Sequence, residues 1–442
     1  MSIKAEIGTV SSVPFSELLC NVVDNRGRTC PTAASGLPLI ATNCVKNEHM
    51  YPTYDTVRYV DDETYKNWFR GHPVPGDLLF VTKGSPGRVC MVPDPVDFCI
   101  AQDMVAIRAD NTKIYPRFLF ALLRSQQVQE QIEQLHVGTM IPHFKKGDFD
   151  KLHLQLPDRV TQEFVGDIYF NLSAKIELNR RRNRTLEAMA RAIFQSWFVD
   201  FDPVKAKAAG RTPPGLSPAL AALFPDRFED SALGPIPAGW ETRPLYEVAR
   251  FVNGAAFRTE DFCDPADGLP VVKIAELKDG LTAQTKYSKR NVSEDQRIDT
   301  GDLLYSWSGS PDTSLDAFLW SLGPGLLNQH IFKVISPNAA HQRFIFYLLK
   351  SLRSVLVETA RNKQTTGLGH VTVADMKRLQ VCWASTLVMA AFDQLVSALY
   401  DKAFVGILES QTLAALRDSL LPKLISGELR VPDAERIVAR TT

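Results

Sequence analysis

The chain contains itself twice. The stretch GDLLFVTKGSPG at 76–87 returns as GDLLYSWSGSPD at 301–312. SGLPLIAT (35–42) is matched by DGLPVVKI (267–274), and YPRFLFALLRS (115–125) by HQRFIFYLLKS (341–351). GTMIPHFKKGDFDKLHLQLP (138–157) is answered by TTGLGHVTVADMKRLQVCWA (365–384), with His143 over His370 and Asp148 over Asp375. A single match arises by chance, but four in the same order identify a tandem duplication, and a duplicated chain must build one fold two times.

Within each copy, short β-rich runs such as Leu37–Ala41 and Leu78–Val81 alternate with Gly/Pro turns. An amphipathic helix follows, with Phe118, Leu119, Leu122 and Leu123 apolar at helical spacing. A loop then leads back to a last strand near Leu152–Leu156. The pattern predicts an α+β globule of typical domain size.

After each globule comes a long helical segment. Val165, Ile168, Leu172, Ile176, Leu186, Ala190, Ile193 and Trp197 recur at steps of three and four, with Asn179 and Asn183 in one polar gap. The matching places of the second copy hold Phe392, Leu395, Leu399 and Ala403, then Gly406 and Ser410 at the gap, then Leu413, Arg417, Leu420 and Leu424. A helix of 36–40 residues is a rod of roughly 55–60 Å, and a rod with one apolar stripe needs a partner. Each rod is the other's expected partner. Between the copies, residues 202–240 hold seven prolines and four glycines, a composition that predicts a surface linker without regular elements. The expected division is a globule over 1–160, a helix over 161–201, a linker over 202–238, a second globule over 239–385, a second helix over 386–427 and a loose, charged tail over 428–442.

Composition narrows the function. Fifty Lys and Arg balance fifty Asp and Glu, so any nucleic-acid contact must rest on local patches rather than on a general basic coat. The seven cysteines are scattered and never spaced as CxxC, which fits reduced thiols in a cytoplasm. No run approaches the ~18 apolar residues of a membrane span. There is no GxxxxGK[ST], no GxGxxG before a helix and no HExxH. Pro213-Pro214 lacks the flanking Asn and aromatic of an exocyclic-amine methyltransferase. One catalytic alternative stands. Asp267, Glu276 and Lys278 form a loose D…ExK pattern of the kind that holds Mg²⁺ in nucleases, although an exposed strand end gives the same letters.

The loops carry more. In the first copy Lys83, Ser85 and Arg88 follow GDLLF, and Thr139, His143, Lys145 and Lys146 sit on the later loop. The second copy offers Ser306, Trp307, Ser308 and Thr313, then Lys363, Gln364, Thr365, Thr366 and His370, with Arg258 added from GAAFR. Cations suit phosphates and guanine edges, while amides and hydroxyls suit other base edges. Any one of these residues alone reads as a solvated loop, and the two histidines fit a packing role equally. The set reads as a binding surface because the scaffold is kept while the tips differ. The arginine run 180–184 reads as a solvated helix face or, less often, a phosphate contact. Phe194, Trp197, Phe198 and Phe201 are too aromatic for a solvated helix end; they fit packing on the linker or anchoring another subunit, and the second is the expectation.

With these residues in view, the chain resembles the specificity (S) subunit of Type I restriction–modification enzymes over nearly its whole length. VVDNRGRTCP (22–31), GDLLF, AMARAIFQSWFVDFDPVKAK (188–207), LGPIPAGWE (233–241) and LLPKLISGELRV (420–431) carry the likeness. The resemblance implies two homologous target-recognition domains joined by the two long helices, paired as an antiparallel coiled coil with pseudo-two-fold symmetry. Each domain would read one half of a split, asymmetric target in double-stranded DNA. It also implies a chain without catalysis or cofactor of its own, docked to two modification subunits and, through them, to restriction subunits. S-adenosylmethionine, ATP and Mg²⁺ would belong to those partners.

Overall fold

A computed structural model describes residues 11–27, 29–55, 57–135, 141–338, 341–364, 367–429, 433–434 and 436–437. The repeated Gly-Asp pair has the same partners in both copies. Gly76 and Gly301 take positive φ, 86° and 99°, which a side chain would resist. The following aspartates close the turn by accepting N–H groups from Val74 and Asp299. Each also holds a cation on the neighbouring strand: Asp77 binds Arg108 at 2.7 Å and Asp302 binds Lys333 at 2.9 Å. GDLL is therefore a strand-entry device, and its recurrence reports fold rather than ligand.

The sheets repeat in the same way. In the first copy, strands Leu19–Val23, Met104–Ala109, Leu78–Val81 and Val89–Met91 lie in that order, all antiparallel. In the second, Arg250–Asn253, Ile331–Ile335, Leu303–Ser306 and Asp316–Leu319 follow the same order and sense. A smaller sheet pairs Leu37–Ile40 antiparallel with Arg58–Val60 and parallel with Cys99–Ile100. Its counterpart pairs Leu269–Val272 with Tyr287–Ser288 and Gly325–Leu327, and gains edge strands Phe262–Cys263 and Arg297–Ile298. A two-stranded ribbon joins the start of each copy to its end: Ser11–Pro14 with His153–Leu156, and Glu241–Pro244 with Gln380–Trp383. The expected amphipathic helices are Pro116–Leu123 and Gln342–Ser351.

The chain forms two compact units, one comprising residues up to Arg181 with those from Glu409 onward, the other Arg182–Leu408. The long helices Arg159–Phe194 and Thr386–Ile425 each contribute a stretch to both. In the first unit Val165 and Tyr169 join the globule core with Leu420, Leu421 and Leu424, while Leu172 and Ile176 pack on Leu413. In the second, Ala190 and Phe194 share a core with Phe392 and Val396. Within each unit the helices run antiparallel and are part of the globule's own core, not a spacer apart from it. The polar gaps meet as their placement required. Asn179 donates to Glu409 Oε2 at 2.8 Å in the first unit. In the second, a Cβ on Gly406 would lie 2.6 Å from Asn183 Oδ1 and 2.7 Å from an Arg182 guanidinium nitrogen, so a larger residue there would push both side chains aside.

Four expectations need correction. Residues 202–238 are not free of regular structure: Asp202–Ala208 and Pro218–Ala222 are helices that place proline in the first turn, where its missing N–H costs nothing. Trp197, Phe198 and Phe194 do not stand free for another subunit. The helix ends in a π-turn at Gln195–Val199 and stops at Phe201, whose φ is +55°. The rings then fill the second unit's own core, Phe198 lying 4.9 Å from Phe344 and 5.2 Å from Phe392, Trp197 5.0 Å from Phe224, and Phe201 5.8 Å from Trp240. The tail is not loose throughout, since Ala434 is buried in the first core and Leu429 packs against it. The arginine run is likewise only partly solvated, because Arg180 donates to the Glu48 carbonyl of the globule at 2.6 Å.

None of the seven cysteines is in a disulfide. Among the described residues no helix is long and apolar enough to cross a membrane.

Candidate nucleic-acid interface

In each globule the loop after the GDLL strand is stitched to the later histidine loop by a short antiparallel bridge. Lys83 pairs with His143 in the first copy, and Ser308 with His370 in the second. The hydrogen bonds match position for position: Phe144 N–H donates to the Thr82 carbonyl, Val371 N–H to that of Trp307, both at 2.9 Å. Two loops distant in sequence thus become one surface, built on a frame that leaves the side chains free to differ.

On the first surface the exposed Arg88, Lys145 and Lys146 lie beside half-buried Lys83, Ser85 and His143. Lys83 lies 3.9 Å from the carboxylate of Asp103. Arg26 joins them, bonded twice to Asp24 (2.7 and 2.8 Å) and reaching the Thr82 hydroxyl at 3.4 Å. Sequence reasoning quoted the stretch holding Arg26 but assigned it no role; the fork-shaped pairing to an aspartate two residues away was its one local signal. The hydrogen bond from Arg26, helped by the nearby Lys146 charge, holds Asp24 below the usual carboxylate range. Burial and the charges of Arg26, Lys145 and Lys83 push His143 down, so it is neutral at pH 7 and presents a ring nitrogen rather than a charge. Thr139 lies outside the described residues.

The second surface is nearly neutral. Lys363 is tied to Asp375 at 2.5 Å and Arg361 to Asp312 at 2.5 Å. Arg258 is 82% exposed with Glu260 3.7 Å away. Ser308 and Trp307 are half-buried, Trp307 donating its indole N–H to Asn253 Oδ1 at 3.2 Å, while Thr313, Gln364 and His370 are exposed. Asn253, which aims the indole, was missed because nothing local to it marks the contact. Thr365 and Thr366 lie outside the described residues. Ser306 is not on the tip: it is the last residue of a central strand and 0% exposed, so it cannot touch a ligand at the surface. One residue of register separates it from Trp307, and alternation along a strand turns neighbours to opposite faces.

Burial raises the cost of charging Asp375, but hydrogen bonds from Lys363 and Thr372 outweigh it and hold its pKa at about 2. Because the folded pKa lies below the unfolded value near 3.9, this contribution is complete above pH 4 and is lost as pH falls toward 2. Amide exchange at Val371–Asp375 should therefore accelerate between those limits, and Asp375→Asn should remove that pH dependence.

The nuclease alternative is not supported. Both oxygens of Glu276 are occupied, one by the Lys273 N–H at 3.0 Å and the other by the Thr285 hydroxyl at 3.1 Å, which makes the carboxylate a buried cap for helix Ile274–Asp279. No group of three or more His, Cys, Asp or Glu able to hold a metal occurs among the described residues.

The "Type I restriction modification DNA specificity domain" model matches residues 33–188 and again 237–382. The chain is 26% identical over 402 residues to the Type I restriction enzyme HindI specificity subunit of Haemophilus influenzae, covering 80% of this chain and 86% of that one. It is 21% identical over 326 residues to the MjaIX specificity subunit of Methanocaldococcus jannaschii, covering 72% and 70%. In fold it is similar to the Type I restriction–modification S subunit of M. genitalium, with TM-score 0.52 at 16% identity over 96% of this chain and 98% of that one. The repeated frame and the two matched segments have one account: the chain belongs to the Type I restriction–modification specificity-subunit family and carries two copies of its DNA specificity domain.

Proposed function

We propose that this chain reads a bipartite, asymmetric target in double-stranded DNA, one half-site per globule, as the non-catalytic specificity subunit of a cytoplasmic Type I restriction–modification enzyme. The observation that carries this reading is the bridged loop pair, alike in backbone plan in the two copies but with unlike side chains at most tip positions, Thr82-Lys83 standing against Trp307-Ser308 while His143 and His370 are shared. A copied frame with unlike tips fits two unlike half-sites, whereas a palindrome would need like tips. Lysines and arginines of the first surface would serve phosphates and guanine edges, and the neutral hydroxyl, amide and indole groups of the second would serve other base edges and the thymine methyl.

The chemistry is left to partners: two modification subunits that bring S-adenosylmethionine, and restriction subunits that bring ATP and Mg²⁺. Methylome sequencing of cells carrying the modification subunits tests the division of labour. Replacing Lys83, Ser85 and Arg88 together should relax or rewrite one half of the methylated sequence, and replacing Gln364 with His370 should affect the other half alone. Either change rewriting both halves would overturn the reading.

A further inference from the structure

The second globule has a basic cleft at a place where the first copy carries aspartates. It opens at one end of the five-stranded sheet, with a volume of about 390 Å³, and is lined by Asp267, Gly268, Ser288, Lys289, Arg290 and Arg297 among others. Three cations line it beside the carboxylate of Asp267, and one of them, Arg290, is ion-paired with Asp261, which leaves Lys289 and Arg297 as the larger part of its charge. The arginines are held rather than waving: Arg290 donates to the Ala256 carbonyl and to Asp261 Oδ2 (3.2 Å), and Arg297 reaches Asn291 Oδ1 at 3.3 Å. Gly268 keeps the wall close, since a Cβ there would come within 2.6 Å of the Ser288 backbone.

The duplication supplies an internal comparison. Leu269 pairs with Ser288 as Leu37 pairs with Val60, and Gly36 crowds Val60 as Gly268 crowds Ser288. The two residues after this pairing are Lys289-Arg290 in the second copy but Asp61-Asp62 in the first, where Asp61 caps helix Asp62–Asn67. One backbone frame tolerates opposite charges, so the fold does not demand the cations.

We infer that this cleft binds a backbone phosphodiester of the DNA strand read by the second globule. The inference rests on the reading proposed above and adds a contact that its loop surface lacks. On that surface Lys363 and Arg361 are ion-paired within the protein, leaving little charge for the backbone. The cleft is joined to it by the chain itself: Asn253 holds Trp307, and Ala256, three residues on and at most about 11 Å away along the chain, holds Arg290. Guanidinium forks and an ammonium around a small opening are the groups that phosphate oxygens take.

The test uses the complex with modification subunits and the variants K289Q/R297Q and R297Q alone, both of which spare the structural contacts of Arg290. DNA affinity is measured against salt concentration and the methylated sequence is determined. Loss of one to two phosphate contacts should flatten the slope of log K against log salt by about 1 to 2 while leaving the recognised bases unchanged. An unchanged slope in both variants, with a normal wild-type response, overturns the cleft and leaves the half-site reading intact. A wild-type complex with no salt-dependent binding overturns both. Inorganic phosphate that raises the melting temperature of the full chain, lost in K289Q/R297Q without any change in slope, would assign the cleft to a free anion instead and so also overturn the DNA contact.

Discussion

Phe198→Ala is expected to cost the second unit about 3–5 kcal/mol, the range for deleting a buried phenylalanine. The ring sits where the end of the first long helix, the second long helix, the helix Gln342–Ser351 and the start of the second copy meet. Its centroid lies 4.9 Å from Phe344, 5.1 Å from Phe194, 5.2 Å from Phe392 and 5.8 Å from Trp240. These ring neighbours, Phe344 and Phe392 edge-on and Phe194 and Trp240 tilted, are rigid and refill a vacated space poorly. Urea denaturation followed by tryptophan fluorescence should show the loss, since Trp197 and Trp240 report from the same cluster. Phe198→Leu should recover part of it. A full-length variant as stable as the parent would show that the Phe198 ring does not carry the stability of the second unit.

Lys145→Gln with Lys146→Gln is expected to weaken DNA binding by the assembled complex about 30-fold at 0.15 M salt, from two fewer displaced counterions. Both side chains are exposed on the loop bridged to Lys83, and the pair flanks a neutral His143 whose ring adds no charge to compensate. The slope of log K against log salt should fall by about 1.8, while the bases read by the second globule stay fixed. Fluorescence anisotropy over a salt series checks this. An equal loss at every salt concentration would assign the two lysines to base edges instead.

These two expectations differ in how far the sequence could carry them. The lysines are named by the letters alone, because a repeat with varied tips exposes its variable positions without any coordinates. The aromatic cluster was visible as a cluster, yet the direction of its rings was not. A run such as FQSWFVDF has no single helical stripe, so its burial depends on a π-turn and a left-handed Phe201 that rotate the rings toward Trp240 and Phe344. Glu276 shows the same limit from the other side. Its spacing from Asp267 and Lys278 fits a metal site, and only the Thr285 hydroxyl and Lys273 amide reveal a helix cap.

The letters alone revealed that one α+β plan is built twice, where a few of its strands and both long helices lie, that the polar gaps of those helices correspond, and which loops vary. Each of these follows from periodicity or from comparing the chain with itself, and both are local or internal properties of the letters. Tertiary structure alone decided which loop cations remain available, through pairs such as Lys363 with Asp375 and Arg361 with Asp312. It also decided that Ser306 points inward and that Lys289, Arg290 and Arg297 converge on one cleft. The reason is physical: charge neutralisation and convergence are set by distances of a few ångströms between residues far apart in the chain, and no spacing rule encodes those distances.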